Sequence, residues 1–261
     1  MTPRQRRAWQ ALGLGPVWQE KPSMVAPEGA APGVEHPVIF GSVTHPSEPR
    51  PGATMAEQPA ETVASAAGSL DWDGLRDAVR GCTRCGLCRT RRQTVFGVGP
   101  TEARWLIVGE APGAEEDARG EPFVGQAGRL LDAMLAALGM SRNRDVFITN
   151  VLKCRPPGNR NPEPDEVEHC APYLRRQVEL LAPDGMLVMG RFAAQALLGT
   201  DASIASLRGR VHECRLGERG VPAVVTYHPA YLLRNLPDKA KAWADLCLAR
   251  DRLGFGKTGP R

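Results

Sequence analysis

The chain has 261 residues, 42% of them hydrophobic and 24% charged, with a formal net charge of +4 and seven cysteines. That length supports one substantial α/β core without disulfide staples, and no apolar run approaches the roughly 18 residues that a membrane helix needs. A disulfide scaffold and a helical membrane protein are therefore excluded, and the odd cysteine count points to a reducing compartment, the cytoplasm.

Residues 1–20 carry Arg4, Arg6 and Arg7 with no apolar stretch behind them, so no secretory signal is expected. The same segment places Trp9 and Trp18 among Leu12, Leu14 and Val17, a composition suited to a peptide that docks through aromatic anchors. Packing against the rest of its own chain is the alternative. Residues 21–70 hold eight prolines and five glycines, with Phe40 as their one aromatic. Such a stretch buries too little surface to offset its ordering entropy and reads as a disordered linker. Residues 1–70 carry a charge of −1 and residues 71–261 carry +5, so the basic excess belongs to the folded part and suits a polyanionic partner.

From residue 71 onward, short apolar runs alternate with helical patterns, which predicts an α/β fold: three layers, α/β/α, around a central, mainly parallel four-stranded sheet. Trp105 to Val108 reads as a buried strand ending at Gly109, and Leu130, Leu131, Met134, Leu135 and Leu138 share a helix face that stops at Gly139. Val146 to Thr149 is a second strand, and a helix runs from Pro164, a residue tolerated in a first turn, to about Leu181. Met186 to Met189 is a third strand, followed after Gly190 by a short helix to about Leu198. Val211 to Leu216 is expected as a hairpin arm, Ala223 to Thr226 as the fourth core strand, and Lys239 to Leu253 as the last helix. In open sheets of this kind ligands gather at the carboxyl ends of strands. Attention therefore falls on the segments after Val108, Thr149, Met189 and Thr226.

Four cysteines have a pattern suited to metal. Cys82 and Cys85 are two residues apart before the first strand, while Cys154 and Cys170 lie after the second strand and on the next helix. An all-thiolate set of this kind suits a [4Fe-4S] cluster or Zn. Ordinary buried cysteines are the bland alternative, and Cys88 also completes a ferredoxin-like Cys82, Cys85, Cys88 triplet. Cys214 and Cys247 read as small buried hydrophobes.

Glycines in Gly109-Glu110-Ala111-Pro112-Gly113 allow close backbone approach to a ligand, and Phe123 offers a flat face for a ring. A strand-to-helix loop with solvated acids is the alternative there. Asn150 can donate and accept at once and so can read the edge of a base. Lys153 to Asn161 reads as a basic, rigid loop suited to phosphate, and His228-Pro229-Ala230 follows the last strand.

Together these segments resemble the family 4 uracil-DNA glycosylases, the iron-sulfur branch of their superfamily, over about Leu75 to Leu253. The motifs are Cys82-x2-Cys85, Gly109 to Gly113, Asn150 with Lys153-Cys154-Arg155-Pro156-Pro157, Cys170 and His228-Pro229-Ala230. The resemblance implies a uracil-DNA glycosylase-like fold and a [4Fe-4S] cluster on Cys82, Cys85, Cys154 and Cys170, with Zn the lesser choice and Cys88 a spectator. It implies a hydrolase that flips uracil from DNA and leaves an abasic site for base excision repair, acting as a monomer in the cytoplasm or nucleoid. His228 would hydrogen-bond uracil O2, Asn150 would read the O4 and N3–H edge, Phe123 would stack, and Gly109, Glu110 and Ala111 would line the pocket. Ala111 stands where family 1 enzymes carry an aspartate, which leaves Glu110 and Asn159 to handle the water. Gly113 replaces a thymine-excluding tyrosine, and Glu116 or Asp117 is expected to fill that space. Arg155, Arg160 and Arg234 would contact DNA, and Leu232 or Leu233 would act as a wedge. The cluster Arg84, Arg89, Arg91 and Arg92 is a further expected phosphate contact. Residues 1–20 resemble the N-terminal peptide of the psi subunit of the bacterial clamp loader, which binds the chi subunit, with an extra residue before Trp18. Two rival readings are a uracil-DNA trapping protein without turnover, whose branch carries a histidine near the position of Asn159 where this sequence has Pro157-Gly158-Asn159-Arg160, and an electron-transfer iron-sulfur protein.

Overall fold

The computed structural model describes residues 67–216 and 220–256. The expected docking segment 1–20 and residues 21–66 of the expected linker lie outside the described residues. Helix α1 (Trp72–Arg80) starts where the Asp71 carboxylate accepts the Gly74 N–H at 2.9 Å, an N-cap that satisfies one free amide of the first turn. It buries Leu75 and Val79 against α4 (Pro164–Leu181). Its period is legible after the fact, yet it offers two buried side chains among nine residues.

The sheet has five strands in the order β2-β1-β3-β5-β4. β1 (Trp105–Gly109), β2 (Val146–Asn150), β3 (Gly185–Met189) and β5 (Gly220–Thr226) are the four expected parallel strands. The expected hairpin arm is β4 (Val211–Arg215), which pairs antiparallel with β5 and adds a fifth strand at the edge. Alternate residues of the parallel strands serve two cores. Leu106, Val108, Phe147, Met186, Val188 and Val225 meet α1, α4 and α5 (Arg191–Leu198). Trp105, Ile107, Val146, Ile148, Leu187, Met189 and Val224 meet α3 (Gln126–Ala137) and α8 (Lys239–Leu248). Helices on both faces are why these strands read as unbroken apolar runs rather than alternating ones.

Three short helices lie between these elements: α2 (Ala114–Arg119), α6 (Ile204–Leu207) and α7 (Pro229–Leu232). Past Leu248 the last helix widens into a π turn over Ala249–Leu253 and ends at Gly254, whose φ of 78° suits glycine. Among the described residues no helix is long and apolar enough to cross a membrane.

Candidate active site and cysteine cleft

A cavity of about 740 Å³ opens at the carboxyl ends of β1, β2, β3 and β5. Each strand delivers one side of it. β1 runs into Glu110 to Gly113, β2 ends on Asn150, Gly190 and Arg191 follow β3, and Tyr227 and His228 follow β5. Register sets the pairings, because Gly109 lies opposite Asn150 and the ladder continues with Val151 N–H to Gly109 O and Leu152 N–H to Glu110 O, both at 3.0 Å. The cavity thus brings together Glu110, Ala111, Phe123, Asn150, Asn159 and His228, while Gly109 is not among its walls and lies against Asn150 and Phe123.

Asn150 is 2% exposed, and its Oδ1 has no hydrogen-bond partner. Leaving such an atom unpaired costs about 1–3 kcal/mol, so a ligand that donates to it gains correspondingly. Gly109 keeps this space open: a Cβ there would fall on Asn150 Oδ1 and stand 2.6 Å from Phe123 Cζ.

His228 caps α7 through Nδ1, which accepts the Ala230 N–H at 3.2 Å. Burial lowers its pKa to about 4, with Arg234 adding to the fall and Glu116 opposing it. The ring is therefore neutral at pH 7, and since Nδ1 is an acceptor the proton resides on Nε2, which can donate. Phe123 stacks on this ring with centroids 5.4 Å apart and planes 30° apart.

Glu110 is half-buried, and desolvation raises its pKa while the Arg191 guanidinium opposes the rise. Asn159 lines the cavity from the 3-10 turn Pro157–Asn159, and its Oδ1 already accepts from Arg155 Nε at 2.7 Å. Glu116 also lines the cavity, whereas Asp117, the other expected occupant of the tyrosine space, turns inward to accept the Arg92 N–H at 2.9 Å. The expectation for Asp117 is thereby corrected. Both oxygens of Glu116 serve the backbone: Oε2 accepts from Gly113, and Oε1 from Val124 and Gly125, at 3.0–3.2 Å.

Several expected DNA contacts are placed differently. Lys153 is buried, and its ammonium donates to Thr149 Oγ1, the Asn150 carbonyl and Gln177 Oε1 at 2.6–2.8 Å, with burial lowering its pKa to about 8. It cannot meet a phosphate from there. Arg160 faces the cavity but pairs through both terminal nitrogens with Glu166, and Arg155 holds Asn159. Leu232 is 1% exposed in the α3–α8 core and is no surface wedge in this arrangement, while Leu233 is 38% exposed beside the exposed Arg234. Arg191 was not singled out by the sequence, although it begins the helix after β3, one of the strand ends named as candidates.

Cys82, Cys85, Cys154 and Cys170 line one small cleft between α1, the segment after it and α4, and Cys88 is not among its walls. Cations surround it. Arg91 donates to Cys154 Sγ at 3.0 Å, the Lys153 backbone donates to Cys170 Sγ at 3.3 Å, and Arg84 borders the cleft with a buried Nη1 that has no partner. Four thiols beside two guanidinium groups and a backbone N–H, one guanidinium with a buried N–H that has no hydrogen-bond partner, form a donor set suited to a negatively charged group. Among the described residues no group of three or more His, Cys, Asp or Glu side chains is arranged to hold a single metal ion. Cys214 is fully buried and donates to the Leu197 carbonyl, as expected of a small core residue.

Residues 96–247 match the uracil DNA glycosylase superfamily. A type-4 uracil-DNA glycosylase of Archaeoglobus fulgidus is 46% identical over 168 residues, which covers 62% of this chain and 84% of that protein. One from Pyrobaculum aerophilum is 41% identical over 69% of this chain and 93% of its own length. Another from Thermotoga maritima is 42% identical, over 62% of this chain and 82% of that protein.

Proposed function

The chain belongs to the uracil DNA glycosylase superfamily, and on that footing we propose that it hydrolyses the bond between uracil and deoxyribose in DNA, leaving an abasic site. The observation that carries this reading is the buried Asn150 amide with an unpartnered Oδ1, in one cavity with a neutral His228 and the Phe123 ring. Uracil presents an N3–H donor beside an O4 acceptor, the complement of Asn150 Oδ1 and Nδ2. Cytosine reverses that edge and would leave a buried polar group unpaired.

The target bond is inaccessible within a duplex, so the nucleotide is bound single-stranded or rotated into the cavity, and uracil's weak pairing lowers the cost. As the C1′–N1 bond breaks, its electron pair passes to the uracil ring and positive charge grows on the sugar. His228 Nε2–H donates to O2 and stabilises the departing anion without transferring a proton, because the ring is already neutral. The Glu110 carboxylate opposes the charge on the sugar and takes a proton from the water that attacks C1′. Asn159 is the weaker candidate for the water, since its acceptor oxygen is held by Arg155. Arg234 lines the cavity and serves as phosphate contact, and its exposed neighbour Leu233 serves as wedge.

Cys82, Cys85, Cys154 and Cys170 would hold a [4Fe-4S] cluster, which supplies iron–sulfur bonds that pin the segment after α1 to the start of α4. Four thiols with no carboxylate or imidazole among them are the soft donor set that an iron–sulfur cluster would take, with zinc the lesser choice. We infer further that the protein acts as a monomer on genomic DNA at the nucleoid in the cytoplasm, and that residues 1–20, by their resemblance to the psi peptide, bind a replication partner such as the clamp-loader chi subunit.

The test is strand scission after alkali on paired oligonucleotides carrying one U or one T, with Asn150→Ala and His228→Ala alongside. Uracil-dependent scission that falls at least about 100-fold in each variant is expected. A covalent adduct without scission would replace this reading with the trapping protein.

A further inference from the structure

Phe123 occupies backbone that an aromatic residue seldom adopts, with φ of 56° in the left-handed region. Something must hold it there, and Arg142 does. This arginine stands in the connection between α3 and β2, its side chain 13% exposed. All three of its nitrogens are engaged. Nη2 donates to the Phe123 carbonyl at 2.8 Å and Nη1 to the Pro122 carbonyl at 3.1 Å, while Nε is anchored on Asp132 of α3 at 2.8 Å. One turn of α3 before Asp132 lies Gly128, where any Cβ would collide with the same Phe123 carbonyl. The backbone of residue 123 is thus gripped from one side by a planar cation and admitted from the other by a missing side chain. On the ring side, Gly109 leaves room for the phenyl edge and His228 stacks on its face.

We propose that Arg142, working with Gly128, is a positioning residue that fixes the plane of Phe123 and thereby the stacking of the bound base. The inference rests on the proposed uracil site and adds to it a residue outside the cavity. Arginine is suited to this role because its fork reaches two successive carbonyls and a carboxylate at once, which a lysine cannot do. Relaxed from its left-handed conformation, residue 123 would carry its ring out of register with both the base and His228. The loss is then in recognition of the base rather than in grip on the DNA backbone.

A double-mutant cycle on the full-length protein tests this. Single-turnover uracil excision from a single-stranded oligonucleotide, inhibition by free uracil, and affinity for the same oligonucleotide without uracil are measured for wild type, Arg142→Gln, Phe123→Ala and the double variant. Arg142→Lys and Gly128→Ala extend the series. Arg142→Gln should weaken inhibition by free uracil about tenfold, the scale of one base–aromatic stack, while affinity for the uracil-free strand stays within twofold. In the Phe123→Ala background the same substitution should have no further effect. Arg142→Lys should fall between wild type and Gln, and Gly128→Ala should reproduce the Gln signature by an independent route. Should Arg142→Gln prove unstable, the Lys and Gly128→Ala variants carry the comparison. Unchanged uracil inhibition in the variants, or an Arg142 effect that persists without Phe123, overturns the proposal while the uracil site stands. A wild type that neither excises nor is inhibited by uracil overturns the site reading itself.

Discussion

Glu110 and His228 illustrate how burial moves two groups in opposite senses to the same end. Desolvation disfavours the charged form of each, so the carboxyl rises above its ordinary 4.5 and the imidazole falls to about 4. If ionised Glu110 handles the water, the excision rate should fall as pH drops through a value above the ordinary carboxylate range. His228 contributes no limb near neutrality, because it stays neutral until about pH 4. Glu110→Gln should lose that acid limb and slow excision about 10²- to 10⁴-fold, read from single-turnover rates between pH 4 and 8. A retained limb in the Gln variant would assign it to another group. Residue type and position at a strand end made Glu110, Asn150 and His228 legible in the sequence. They did not make Lys153 legible: its place in a basic run suggests phosphate, but its stem folds beneath the end of β2, where three oxygens receive the ammonium. Nor is there a local signal for Arg142, whose partners are 10 to 21 residues away across a loop.

At the level of elements, the parallel strands and long helices are readable because each repeats a strong apolar pattern, whereas α2 is not. Its six residues are mostly charged, and it exists because its neighbours are tied down. Glu116 does the tying. It reaches back to the Gly113 amide at the start of α2 and forward to the Val124 and Gly125 amides before α3, so one carboxylate joins the two ends of the segment that carries Phe123. Only a group that accepts at both oxygens can do this. Glu116→Gln replaces one acceptor with a donor facing an N–H, and should reduce kcat/KM for uracil about 10- to 100-fold, with Glu116→Ala worse. The same carboxylate borders the cavity, so excision of thymine should be scored in parallel. Loss of uracil activity with thymine still refused would confine Glu116 to holding the loop and remove it as the thymine barrier. Normal uracil kinetics in the Gln variant would deny the holding role.

Across the whole molecule, the basic excess of residues 71–261 is unevenly placed. A second groove, of about 710 Å³, is walled by Arg76, Arg80, Arg91, Arg92 and Arg119, with no Asp or Glu among its lining residues. Arg91 is committed to Cys154 and the Cys82 carbonyl, Arg80 pairs with Asp77 and Arg119 with Glu115, while Arg92 and Arg76, the latter lying over the Phe96 ring, are exposed at the rim. Helix α2 connects the two sites: Gly113 at its start lines the base cavity, and Arg119 at its end lines the groove. Six helical residues span about 9 Å, little more than the spacing of one or two phosphates, so a strand leaving the cavity along α2 reaches these arginines. Arg92 of the expected arginine cluster, together with Arg76, which was not part of it, would then act through counterion release. Replacing both with alanine should lower the slope of log affinity against log salt by about 1.4 on a single strand of about 20 nucleotides, and leave a strand of about five unchanged. Excision from the short strand at saturation should match wild type, since neither arginine lines the base cavity. An unchanged slope on the long strand would mean that these side chains are merely solvated. A slope lost equally on both lengths would mean that the groove is reached by the nucleotides nearest the flipped base.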